Sequence, residues 1–137
     1  MLSGLLSAVG MACVGWPARV QTDAGGMVRV RVEAFDVRVS PELIGEPALC
    51  VRTLTTLRGD LSHLEGVLPV EAFGVLRERV TIWIEHRGAV VPGGMSGRGM
   101  VFHPSAVWLR TNGLDPARAG GVEIVRAQDY LEWREHQ

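Results

Sequence analysis

The sequence predicts an α+β domain, a mixed twisted β-sheet with helices packed on it. Three observations carry that reading. Val28, Val30 and Val32 alternate with charged residues, and Val80, Ile82 and Ile84 alternate with Thr81, Trp83 and Glu85, which is the period of half-buried strands. Between these runs, Cys50, Leu54, Leu57, Leu61 and Leu64 recur at steps of four and three residues, making one continuous helical stripe. Short apolar runs at 100–103 and 122–125 supply further strands, separated by capped helical turns. Of the 137 residues 47% are apolar and the formal net charge is −1, so a single packed domain is expected rather than a disordered chain.

The apolar run over residues 1–14 matches the apolar region of a signal peptide, although no positive charge precedes it. It is too short for a stable membrane span, which needs about 20 residues. Small residues at Ala12 and Ala18 suit a cleaving protease, so residues 1–18 read as a signal peptide and the mature chain as secreted, periplasmic or envelope-bound. Two alternatives stay open: acylation at Cys13 as a lipoprotein, or a cytoplasmic domain in which this run merely packs. Once the leader is removed, Cys50 stands alone, which excludes a disulfide framework and makes it a small buried apolar residue. Residues 19–27 are polar and glycine-rich and read as a linker, leaving one domain over 28–137.

Within that domain the first strand covers 28–32, and its alternation then slips by one residue to Phe35, Val37 and Val39. Such a slip predicts a β-bulge. Ser40-Pro41 and Pro47 open the leucine-striped helix, for which Gly66 is the expected stop. A short helix over 69–77 carries Val70, Phe73 and Leu76, and the strand at 80–84 follows. Two strands joined by a helical crossover are expected to be parallel, with a right-handed connection.

Residues 91–99 contain Pro92, Gly93, Gly94, Gly97 and Gly99 and predict a loop. The glycines lack the Gly-Lys-Ser/Thr pattern of a phosphate cradle. Pro104-Ser105 opens a two-turn helix with Val107, Trp108 and Leu109 apolar, and Asn112-Gly113 closes it. Asp115-Pro116 caps a further turn that ends before Gly120-Gly121. After the strand at 122–125, Ala127, Tyr130, Leu131 and Arg134 share one face of a final helix.

Little in this pattern is overtly chemical. The near-neutral charge and the scattered arginines, which are the only cationic residues besides histidine, argue against a nucleic-acid surface. Of His63, His86, His103 and His136, no two stand three or four residues apart, and His-Glu-x-x-His is absent. His103 ends a strand just before a helix start, where it would bond a backbone group or face a cleft. Glu123 sits inside an apolar strand, and alternation makes solvent or a sheet edge its expected direction, with Arg126 and Asp129 as pairing groups. His103, Glu123 and Arg126 are therefore the cleft or supporting candidates. No residue is assigned a catalytic or metal-binding role.

Phe102-His103-Pro104-Ser105, Trp108-Leu109, Asn112-Gly113, Ala119 to Ile124, Ala127 and Tyr130 to Trp133 resemble bacterial secreted zinc-metallopeptidase-like proteins of the zincin type. Thr81 to Glu85 is similar as well, and the matched positions span about half the chain. The resemblance implies a zincin-like upper subdomain, a peptide or protein substrate, and zinc as cofactor in a complete relative. In such relatives a zinc helix carrying His-Glu-x-x-His would follow this segment. No such helix lies within the 137 residues, so the expectation is an incomplete, inactive portion that holds no cofactor and self-associates through exposed apolar surface. The rival expectation is a non-catalytic envelope module that holds peptides by strand addition.

Overall fold

The valines at 28, 30 and 32 need cover on one side only, and the chain supplies it by folding back at once. The computed structural model describes residues 21–88 and 100–137. The signal-peptide and Cys13 expectations and the glycine-rich loop at 91–99 lie outside the described residues.

Strands β1 (Gln21–Thr22), β2 (Val28–Val32) and β3 (Phe35–Val39) form an antiparallel meander. The phase slip after Val32 is a hairpin, not a bulge. Val32 pairs directly with Phe35, and Glu33 and Ala34 form the two-residue turn with φ of 48° and 66°. Two positive φ values in succession match the strand twist, as in a type I′ turn. The stretch expected as a linker contributes β1, and Asp23 shapes its turn by accepting from the Gly25 and Met27 amides.

Helix α1 (Pro41–Ile44), capped by Ser40, leads into α2 (Pro47–Val67), which runs through Gly66 and ends only before Pro69. Helix α3 (Val70–Arg79) returns the chain to β4 (Thr81–Ile84), which pairs parallel with β3 as expected. Strand β5 (Met100–Phe102), helix α4 (Ala106–Thr111), a 3₁₀ turn (Pro116–Arg118), β6 (Val122–Ile124) and α5 (Ala127–Glu135) complete the described fold. β6 inserts between β4 and β5, parallel to the first and antiparallel to the second, so the sheet order is β1-β2-β3-β4-β6-β5. The architecture is α+β with a six-stranded mixed sheet. No helix among the described residues is long and apolar enough to cross a membrane.

Register decides what each face holds, because directly paired residues point the same way. Val28, Val39, Ile84, Ile124 and Met100 form one row across the sheet, and Val30, Val37, Ile82, Val122 and Phe102 form the next. Most of these residues pack with Leu54, Leu57 and Leu61 of α2, Phe73 of α3, and Ala127, Tyr130 and Leu131 of α5 to make the core. Cys50 is fully buried there, as expected. Of the three apolar residues that α3 carries, Val70 and Leu76 are exposed, and the helix anchors chiefly through Phe73. Among the described residues the helical cover stops short of β5: Met100 and Phe102 continue the core rows yet remain 47% and 58% exposed.

Candidate functional site

The opposite face carries a polar row: Arg29, Arg38, Trp83, Glu123 and Val101 lie side by side across β2, β3, β4, β6 and β5. At its centre is a closed cluster. Alternation puts Glu123 off the core face, as the sequence implied, but not into solvent. It is buried, because the segment from β5 through α4 and the 3₁₀ turn brings His103, Leu109 and Arg118 around it.

His103 is also buried, and its Nε2 lies 2.7 Å from Glu123 Oε2. The other Glu123 oxygen accepts from Arg118 Nη1 at 2.9 Å, while Arg118 Nη2 reaches Glu85 Oε1 at 2.5 Å. The sequence pattern fixes these positions locally. Ser105 caps α4 by accepting from the Trp108 amide, and Asp115 caps the 3₁₀ turn by accepting from the Ala117 amide, which holds Arg118 in place. Gly121 allows the turn to press on the sheet, since a Cβ there would meet Thr81 O and Trp83 Nε1, each at 2.9 Å. The backbone of His103 is tied to the same turn, donating to Gly121 O and accepting from the Gly120 amide.

Arg118 balances opposing effects. Burial works against its charge, but the hydrogen bond to Glu85 and the charges of Glu123 and Glu85 outweigh it and raise the guanidinium's pKa. The guanidinium also lies 4.9 Å from the Trp83 ring centroid, with Arg38 at 5.3 Å from the same ring. Arg38 is held in turn by Asp36 and Asp23.

Two of the three candidate residues therefore meet. Arg126 does not join them: it precedes α5, half exposed, and pairs with Asp129 at 3.5 Å. Arg118 takes the role expected of Arg126. The one clue to it in the pattern is an arginine in a capped turn just before Gly120-Gly121.

Zinc does not fit this cluster. Both Glu123 oxygens and His103 Nε2 are already engaged, and Arg118 sets a positive charge against both carboxylates. No three His, Cys, Asp or Glu groups among the described residues are arranged to hold a metal ion. The adjoining cavity of about 180 Å³ is smaller than a typical small-molecule site. The cluster is suited to bracing β5 and β6, and its chemistry is spent internally. Beside it lies β5, whose outer edge has no partner strand among the described residues. No protein-family model, curated protein or solved structure matches the chain.

Proposed function

We propose that the chain is a peptide-holding domain of the zinc-metallopeptidase-like kind, in which β5 takes an extended peptide as an added strand. One observation carries the reading. β5 is an uncharged Met-Val-Phe strand at the sheet edge, with Met100 and Phe102 exposed beyond the helical cover. Edge backbone groups supply hydrogen bonds to an incoming strand, and alternate side chains supply selectivity. The His103–Glu123–Arg118–Glu85 brace supports the reading by fixing β5 on β6, which lowers the ordering cost of binding.

The occupant is an extended segment with apolar side chains at alternate positions, matching Met100 and Phe102. The resemblance implies hydrolysis for relatives that carry His-Glu-x-x-His, a motif that does not occur in these 137 residues. The apolar run at 1–14 supports export, which the mass of the mature N-terminus tests. The exposed apolar strand also supports self-association.

The test is hydrogen exchange on the full chain with and without a hexapeptide alternating valine and threonine. Protection is expected to rise at the Met100 and Phe102 amides. Unchanged exchange throughout β5 at saturating peptide would sink the proposal.

A further inference from the structure

We infer that a second copy of this chain occupies the β5 edge when no peptide does, pairing antiparallel about a two-fold axis at Val101. That this pairing regulates the peptide site rests on the peptide-holding reading; the pairing itself does not.

Strand alternation fixes the geometry. The His103 amide donates inward to Gly121 O, and the His103 carbonyl accepts from the Gly120 amide. In an antiparallel ladder, residues alternate between facing their partner and facing away. Val101 therefore turns its backbone groups towards β6, and Met100 and Phe102 turn theirs to the open edge. A two-fold axis at Val101 sets Met100 opposite Phe102 of the second copy, and Phe102 opposite the second copy's Met100. Both pairs exchange N–H···O bonds in each direction.

The side chains favour the same arrangement. Met100 and Phe102 lie on the helix side of the sheet, largely uncovered, so each cross-pair sets a thioether against an aromatic ring. The neutrality of β5 permits a second copy. A two-fold axis sets like residues close together, so a charged edge would repel its own image, and β5 carries no charge. The other edge, β1, is among the described residues a two-residue Gln-Thr strand with no apolar side chain to contribute. A pairing over three residues is far smaller than the roughly 800 Å² per partner of a standard interface, so the dimer is weak and a peptide strand displaces it.

Sedimentation velocity of the full chain, from low micromolar to submillimolar concentration, tests the pairing. The mean mass is expected to rise from monomer towards dimer. Phe102→Leu should keep that rise. Phe102→Lys, which adds charge, and Phe102→Pro, which removes an outward N–H that an exposed edge strand can spare, should stay monomeric. Melting curves establish that all three variants fold.

A wild-type chain that is monomeric throughout overturns the inference, as do folded Lys and Pro variants that dimerise like the wild type. Adding the valine–threonine hexapeptide should return the mass to monomer, and peptide protection of β5 in an undiminished dimer overturns the competition. The two proposals fail separately: dimerisation without peptide protection removes only the peptide reading, and protection without dimerisation removes only this one.

Discussion

Glu123 shows how one buried carboxylate is tolerated: two neighbours, His103 and Arg118, share its charge, and each is held by something else. Removing it leaves His103 without its partner and Arg118 with Glu85 alone. Breaking a buried charged pair from one side costs about 3–5 kcal/mol, and the remaining Glu85 contact puts Glu123→Leu near the lower end. Urea unfolding should show that loss. Arg126→Ala should change stability by less than about 0.5 kcal/mol, because Arg126 is half exposed and its pairing with Asp129 is long. Equal losses for the two variants would contradict the assignment of the brace to Arg118. At Gly121 the limit is steric. An added Cβ meets the Thr81 and Arg118 carbonyl oxygens at 2.9 and 3.0 Å, so Gly121→Ala should cost about 1–3 kcal/mol in the same measurement.

Two contacts between elements carry predictions of their own. The β2–β3 turn holds Ala34 at φ 66°, where a Cβ is strained. Ala34→Gly relieves that strain and should stabilise the hairpin by about 0.5–1 kcal/mol, read as a higher urea midpoint at unchanged slope. The contact between α2 and α5 centres on Tyr130, whose hydroxyl donates to Asp60 Oδ2, with Arg134 2.7 Å from the other Asp60 oxygen. Burial, then the hydrogen bond and the charge of Asp60, push the Tyr130 pKa well above its ordinary value. The folded chain therefore holds this proton where the unfolded chain releases it. Its contribution is complete below about pH 10 and declines as pH rises beyond that, by up to about 1.4 kcal/mol per pH unit. Tyr130→Phe should flatten the alkaline limb of a stability–pH profile, and a slope unchanged from wild type would refute this account.

At the scale of the whole molecule, the sheet is finished on one side and unfinished on the other. Among the described residues, helices α2, α3 and α5 cover the apolar rows as far as β6, and the rows run on into β5, where Met100 and Phe102 are exposed. On the polar face the brace engages His103, Glu123, Arg118 and Glu85 with one another. Since the brace residues are engaged with one another, a zinc titration followed by calorimetry should show no tight stoichiometric site in this chain. One tight equivalent would overturn the reading of the cluster as structural.

Local pattern determined most of the elements: the period-two valines, the leucine stripe on α2, the proline starts and the Asn112-Gly113 stop all act within a few residues of themselves. The parallel pairing of β3 with β4 was legible for the same reason, since a helical crossover forces it. The slip at Glu33-Ala34 was visible, but a bulge and a hairpin shift the alternation alike, and only the pairing of Val32 with Phe35 separates them. His103 and Glu123 stood out as polar residues on apolar strands, yet nothing in sequence spacing joins positions 20 residues apart. Arg118 became their partner because β6 inserts between β4 and β5 and draws the capped turn across the sheet. The exposure of Met100 and Phe102 was likewise a tertiary outcome: their sequence is that of core residues, and the extent of the helical layer leaves them uncovered.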